Sequence, residues 1–475
     1  MSAAMGPKVD RTPIPGLLVV RLAVHVDARG WFEESWQREQ MVALGVPDLG
    51  PVQANVAYNA RRGVTRGLHA EPWDKLVTGA AGSAFAAWVD LRAGATYGVT
   101  AHLELAPGIA VFVPRGVANG YQALADGTAY TYLVNDHWRA GVTYPAVSLD
   151  DPELAIPWPV PLAEAEISER DRTHPRLAHV APLPRRRTLV TGAAGQLGRA
   201  LAAELADDPG ALVDTVDAAE LDLTDGDAVR AWPWEDYDTV VNAAAYTSVD
   251  GAETPSGRRA CWAVNAEAPA LLARLAVEHR FTLVHYSTDY VFDGAIGVHE
   301  EDEPLSPLGV YGQAKAAGDL AVGGVPAHYL LRTSWLVGDG PNFVRTMQRL
   351  AAQGTCPEVV DDQVGRLTFA GELAGATRHL LGSRAPYGTY HVSNAGPAMS
   401  WAEVAAEVFR HCGRDPADVR PVSTAHYAAR QGRLAPRPAS SVLSLEKLRA
   451  SGYSPADARI ELRRYLRSAR ALPVL

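Results

Sequence analysis

The chain has 475 residues, 47% of them apolar and 21% charged, with a formal net charge of −10; this length exceeds what one hydrophobic core supports and calls for two domains. The negative balance excludes non-specific nucleic-acid binding as the main task, and no apolar run is long enough to cross a bilayer, so no membrane span is expected. The first residues, MSAAMGPKVDRTPIPG, lack the basic-then-apolar pattern of a secretory signal, and Cys261, Cys356 and Cys412 are scattered through the second half; a cytoplasmic protein without a disulfide frame or zinc spacing is expected.

Over residues 14–145 short β-branched or aromatic runs (LLVVRLAVHV, DKLVTGAAG, AFAAWVDL, TAHLELAPG, AVFVPRG, TAYTYLVND) are broken by Gly, Pro, Asn and Asp. That spacing predicts an antiparallel all-β jelly roll, cupin-like, with helical periodicity confined to WFEESWQREQMVALG. Such a fold serves equally as a binding shell or as an enzyme, so particular residues must decide. They are Asp27-Ala-Arg29-Gly30-Trp31-Phe32-Glu33-Glu34, Gln53-Ala-Asn55, Arg66-Gly67-Leu68-His69, Lys75, Pro114-Arg-Gly116, and Tyr132 with Asp136-His137-Trp138.

Together these residues resemble the dTDP-4-dehydrorhamnose 3,5-epimerase family over residues 10–178, with RGLH and its upstream QxN as the most specific part. The resemblance implies that His69 is the general base and Tyr132 the facing acid, and that Asp171 in ISERDRTHP is the carboxylate that orients the imidazole. It places Arg29, Glu34, Gln53, Asn55, Arg66 and Asn119 at sugar- or phosphate-contacting positions and Trp138 against the thymine ring. It also implies a homodimer formed through the jelly roll and an epimerase half that uses no cofactor. The chemistry asks for these residue types: a C–H beside a ketone is acidified by enolate formation, so inversion needs a base on one face, a donor on the other, and a cation such as Lys75 by the carbonyl oxygen. Asn119 stands where the family carries histidine and Thr143 where it carries glutamate, which leaves open whether one carbon or two is inverted. The loop between His69 and Lys75 is also shorter than the family's. A metal-dependent jelly roll is disfavoured because there is no HxH pair and the PxG segment ends in Asn119, so no metal is expected.

Proline-rich residues 151–187 close the first domain (1–178) and form a linker (179–187), whose Arg185-Arg186-Arg187 reads as a solvated end rather than a nucleic-acid patch. Next, TLVTGAAGQLGRAL (188–201) reads as a buried strand, a turn with Gly192, Gly195 and Gly198, and a helix opening at Gln196 and Leu197, whose free amides would meet a pyrophosphate. Strand–helix alternation downstream predicts an α/β doubly wound parallel sheet, a Rossmann fold, over 188–475. Asp217, about 20 residues past the glycine turn, suits an adenosine ribose; Asp222 and Leu223 continue the adenine side, and Ala243, Ala244 and Ala245 let a cofactor lie close. The cofactor is NADH or NADPH, leaning to NADH because Ala218 offers no cation to a 2′-phosphate.

Ser287-Thr288-Asp289-Tyr290 precedes Tyr311-Gly-Gln-Ala-Lys315, and Tyr and Lys four apart share a helix face, so the ammonium can lower the phenol's pKa while Thr288 supplies another hydroxyl. This constellation resembles the extended short-chain dehydrogenase/reductases, and NAAAYTSVDGAE, YSTDYVFDG, YGQAK, LLRTSWLVG, GPNFVRTM and GTYHVSN resemble the dTDP-4-dehydrorhamnose reductase family within them. The resemblance implies a small C-terminal substrate lobe, Tyr311 as proton donor, Lys315 on the cofactor ribose, Thr288 and Asp289 on the sugar, and Trp335 near it. A dehydratase is disfavoured because Tyr290, not glutamate, follows Asp289. The two halves therefore suggest dTDP-L-rhamnose biosynthesis from a dTDP-sugar, with epimerisation preceding reduction; the alternative is a single-carbon epimerase or inert shell ahead of the reductase, giving another 6-deoxyhexose.

Overall fold

The computed structural model describes residues 8–469 except 48, 140, 184–186, 208–211, 384 and 432–433. The chain divides into two units, Met1–Arg185 and Arg186–Leu475.

The first unit is a sandwich of the expected jelly-roll kind. One sheet runs Lys8–Arg11, Leu18–Arg21, Ile109–Val113, Lys75–Ala81, Thr128–Val134, Gln53–Asn59; the other runs Glu166–Ile167, Val64–His69, Val117–Ala123, Ala84–Asp90, Thr100–Leu105. All neighbours are antiparallel except Glu166–Ile167. Apolar side chains from both sheets meet inside, with Val77, Trp88, Val111, Tyr121 and Tyr130 buried and the Tyr121 and Tyr130 rings stacked at 4.0 Å. Only Arg38–Ala43 of the expected helix at 31–45 is helical, because Trp31 and Phe32 belong to an antiparallel hairpin, Val24–Asp27 with Gly30–Glu33. That hairpin and the edge strand Gln53–Asn59 leave Val26 (78%), Phe32 (63%), Val56 (72%) and Tyr58 (65%) exposed.

The expected linker is bound to this sandwich over much of its length. The Tyr97 hydroxyl donates to the carbonyls of Leu177 and Val180, and Leu183 exchanges hydrogen bonds with Leu91 and Ala93. Arg185 and Arg186 lie outside the described residues, and Arg187 opens the next strand, paired with Asp214 at 3.1 Å.

The second unit is built on a parallel sheet ordered Val213–Val216, Arg187–Thr191, Tyr237–Asn242, Thr282–Thr288, His328–Thr333, Gly388–His391. The order reverses beside Arg187–Thr191, and a ligand crevice forms at such a switch point. The lobe packs helices Phe343–Ala352, Trp401–His411 and Ala458–Ala469 around Val344, Met347, Val408, Phe409 and Leu462. Leu367, where the family resemblance anticipates proline, is buried in that core. Ser400 and Glu403 form the capping box that starts Trp401–His411. Among the described residues, no helix is long and apolar enough to cross a membrane.

Candidate active sites

In the first unit, His69 ends the strand Val64–His69, and its Nε2 lies 3.1 Å from Asp171 Oδ1. The strand can take this course only with glycine at 67, because a Cβ there would fall 2.5 Å from the Gly120 Cα. Asp171 sits on the short helix Glu169–Arg172, capped by Ser168, and its Oδ2 accepts the Gly67 amide at 3.1 Å. Burial raises the Asp171 pKa, but the hydrogen bond and charge of His69 and the Gly67 amide outweigh it and hold the carboxyl below its ordinary range. A carboxylate only accepts, so Nε2 carries the ring hydrogen and Nδ1 is left with a lone pair.

Tyr132 and Lys75 come from the opposite sheet, with the Lys75 ammonium 5.6 Å from the centre of the Tyr132 ring. The shorter loop thus still places Lys75 beside Tyr132. Burial, and then the Glu71 charge, push the Tyr132 phenol up, which keeps it protonated and able to donate. Asn119 is registered opposite His69 and accepts from the Tyr130 hydroxyl at 2.9 Å. Gln53 donates to Asn55 at 2.8 Å and accepts the Trp138 amide at 3.2 Å, and Asn55 is registered opposite Tyr132. Arg66 donates to Asn59, and the Trp138 side chain is 58% exposed.

Within the single chain, Arg29 and Glu34 lie apart from this group. Arg29 stands at the tip of the exposed hairpin, its side chain 90% exposed and paired with Asp27, and Glu34 lines a small surface recess with Leu22, His25 and Gln40. Two partners escaped the sequence reading. Glu71 pairs with Lys75 at 2.5 Å, and His174 lies on Asp171's other side, its Nε2 3.8 Å from Oδ1. Spacings of four and three residues, respectively, were the only signals for them.

In the second unit, the glycine turn follows the strand Arg187–Thr191. A Cβ on Gly192 would come within 2.6 Å of the Ala244 amide, and one on Gly198 within 2.2 Å of the Gly192 carbonyl. Gly195 caps the helix Gln196–Ala206, whose first-turn amides lack intrahelical acceptors. Leu197 and Leu223 are buried in the core, so only their backbones can serve a ligand. The Gln196 side chain accepts the Gly338 amide at 3.0 Å and donates to the Pro341 carbonyl at 2.9 Å, while Arg199 donates to the carbonyls of Ala194 and Asp339. Asp217 accepts the Ala219 amide at 2.8 Å, and Asp222 accepts Thr224. Beneath the crevice, Asn242 accepts the Thr191 hydroxyl and the Ala244 amide and bonds His285, fixing the backbone that leads into Ala243 and Ala245.

Tyr311 and Lys315 lie on the helix Val310–Gly323, and Thr288 ends the strand Thr282–Thr288. The Lys315 ammonium donates to the Tyr286 carbonyl at 2.9 Å. Burial pushes the Tyr311 phenol up and the Asp289 charge adds to it, while a hydrogen bond with Thr288 opposes them. Asp289 is 2% exposed and accepts the Thr288 hydroxyl at 3.0 Å, so its carboxyl supports Thr288 from beneath instead of standing open to a sugar; burial raises its pKa to about 6. Trp335, in left-handed backbone at φ 46°, stacks on Trp401 at 3.6 Å. The sequence reading also missed Asp319, one turn beyond Lys315 and paired with Arg332 at 3.0 Å.

Burial pulls Lys315 down to about 8, with Asp319 and Cys261 opposing. The ammonium is therefore present below that pH and lost above it, and kcat/KM for the cofactor, which reports the free enzyme, should fall as pH rises through about 8. A profile from pH 6 to 10 at saturating sugar checks this; a flat one would show the charge to be irrelevant.

An imidazole–carboxylate pair on one sheet of a jelly roll with a Lys–Tyr pair on the other, and a Thr–Tyr–Lys cluster in a parallel-sheet unit that opens on a glycine turn, define an enzyme that joins acid–base chemistry to an extended short-chain dehydrogenase/reductase. Residues 11–179 match the family model of dTDP-4-dehydrorhamnose 3,5-epimerase and residues 186–471 that of the RmlD substrate binding domain. The chain belongs to both families, its first part to the 3,5-epimerases and its second to the RmlD-type reductases. It is 43% identical over 285 residues to a dTDP-4-dehydrorhamnose reductase of Streptomyces griseus, spanning 58% of this chain and 91% of that protein. It is 46% identical over 177 residues to a protein RmlC homolog of Streptococcus pyogenes serotype M6, spanning 36% of this chain and 89% of that protein. A dTDP-4-dehydrorhamnose reductase from Bacillus anthracis, solved in complex with NADP, superposes with a TM-score of 0.55 at 33% identity, covering 60% of this chain and 99% of that one.

Proposed function

We propose that the first half inverts carbons 3 and 5 of dTDP-4-keto-6-deoxyglucose and that the second half reduces the 4-keto group, giving dTDP-L-rhamnose. The observation that carries this reading is that two acid–base groups suited to the same ketone occur on one chain: the His69–Asp171 pair at 3.1 Å and the Thr288–Tyr311–Lys315 cluster. His69 Nδ1 takes the proton next to the ketone, Asp171 stabilises the imidazolium, Lys75 supports the developing oxyanion, and Tyr132 returns a proton on the opposite face. Gln53, Asn55, Arg66, Asn119 and Trp138 bind the nucleotide sugar, with Arg29 and Glu34 of the exposed hairpin region contributing from the dimer partner. Order follows from chemistry, since the neighbouring C–H loses its acidity once the ketone is an alcohol.

In the second half, the amides of Gln196 and Leu197 at the helix start suit a dinucleotide's pyrophosphate, with Gly192, Gly195 and Gly198 shaping the turn that presents them; Gly192 and Gly198 have no room for a Cβ. Asp217, Asp222, Leu223 and Ala243–Ala245 line the remainder. A bound NAD(P)H supplies hydride to carbon 4. Tyr311 gives the proton to the carbonyl oxygen, Thr288 holds that oxygen, Lys315 holds the nicotinamide ribose, and Trp335 borders the sugar. The Asp217 carboxylate would repel a 2′-phosphate and Arg199 is engaged by carbonyls, which favours NADH. The unpaired cysteines suit the cytoplasm.

With dTDP-4-keto-6-deoxyglucose and either NADH or NADPH, the purified chain should consume reduced cofactor, faster at low concentration with NADH, and yield a product with L-rhamno configuration. A product inverted at neither carbon would assign the first half no chemistry. The two halves act as separate folding units, and the first dimerises by covering Val26, Phe32, Val56 and Tyr58. Expressed apart, residues 1–185 should sediment as a dimer and residues 186–475 should retain reductase activity; insoluble halves would argue for one integrated unit.

A further inference from the structure

We infer that His69, Asp171 and His174 form an inhibitory transition-metal site that takes a zinc ion. Their three ligand atoms lie within 4.8 Å of one another, with Asp171 Oδ1 3.1 Å from His69 Nε2 and 3.8 Å from His174 Nε2. Ligand atoms around a tetrahedral zinc ion are roughly 3.3 Å apart, given bonds of about 2.0–2.1 Å, so these two edges bracket the required length. The rings meet edge to face, at 76° and 5.1 Å, which splays them around a point instead of stacking them. Asp171 is held for the task because the Gly67 amide occupies Oδ2 and leaves Oδ1 turned to both imidazoles. The His174 side chain is 8% exposed, and its Nδ1 is buried without a hydrogen-bond partner; the proposed epimerase chemistry assigns this imidazole no proton to move. His69 is 29% exposed, which leaves water a route to the fourth position.

The ion and the epimerase reaction exclude each other. Neutral His69 carries its hydrogen on Nε2, bonded to Asp171. When the metal takes Nε2, that hydrogen moves to Nδ1, the atom that must accept the sugar proton, and the carboxylate oxygen that would stabilise the imidazolium is consumed as a ligand. The metal site itself stands on geometry, whereas inhibition rests on His69 being the base.

The exposed Cys356 and half-buried Cys412 are competing thiols, so the full chain carrying Cys356→Ser and Cys412→Ser is the starting material. Cobalt(II) should give the visible absorption of a tetrahedral ion at one equivalent per chain, and zinc should displace it. His174→Gln should weaken zinc binding by at least about tenfold, and His174→Cys, which restores a ligand, should recover it with a thiolate–cobalt charge-transfer band. One equivalent of zinc should abolish deuterium incorporation from heavy water into the sugar, reversibly with a chelator, and His174→Gln should keep incorporating. Equal zinc affinity in the parent and in His174→Gln, or no tetrahedral cobalt band, would overturn the site. If the metal-free chain incorporates no deuterium, the reading of the first half fails, and the cobalt band still decides whether the metal site exists.

Discussion

Tyr311→Phe should lower kcat for ketone reduction by about 10²–10⁴-fold, the usual worth of a positioned proton donor, while leaving the affinity for reduced cofactor within about twofold. The phenol is the hydroxyl of the cluster placed on the substrate side in this reading: the Lys315 ammonium spends one N–H on the Tyr286 carbonyl and turns the others to the cofactor ribose, and Asp289 is buried against Thr288. Burial raises the Tyr311 phenol, so the proton is present throughout the working range. The loss should fall on kcat and kcat/KM alike, as for an interaction made in the transition state. Stopped-flow absorbance of the reduced cofactor, with pre-epimerised substrate, isolates this step. Equal rates in wild type and variant would remove Tyr311 from the mechanism.

His69→Asn should remove deuterium incorporation at carbons 3 and 5 in heavy water, a loss of about 10²–10⁴-fold, with the reductase half still active on pre-epimerised substrate. Asparagine ends near the Nδ1 position, so the substitution removes the basic nitrogen together with the Nε2 bond to Asp171. Both carbons should fail together, since one imidazole serves both in this scheme. Exchange retained at one carbon would assign that carbon another base, with Glu71, beside Lys75, the first to examine.

The parts of each site that backbone geometry dictates were legible in the sequence. Gly67, Gly192 and Gly198 are glycines because a Cβ would strike the chain at Gly120, Ala244 or Gly192, and Tyr311 and Lys315 are joined by helical periodicity. Pairings between distant segments were not legible. No local pattern says that Asp319 meets Arg332 or that Leu183 returns to Leu91 and Ala93, because such contacts are decided by how strands and helices pack. The 31–45 segment misled because Trp31 and Phe32 fit either period, and pairing with Val26 and His25 settled them as strand. Family resemblance named Arg29 as a contact, but only the fold reveals that it sits at a hairpin tip. His174 was overlooked because its three-residue spacing from Asp171 gains meaning only once His69, 102 residues away from Asp171, is known to share that carboxylate.

Gln196 and Arg199, on the helix that follows the glycine turn, are tied to Gly338, Asp339 and Pro341, the stretch that leads into the lobe helix Phe343–Ala352. For protein engineering this makes the nucleotide half and the sugar half of the reductase poor modules. A chimaera that imports a foreign lobe to change sugar choice must keep residues 338–341 matched to Gln196 and Arg199, and a graft that moves the junction upstream of Gly338 discards the latch along with the old specificity.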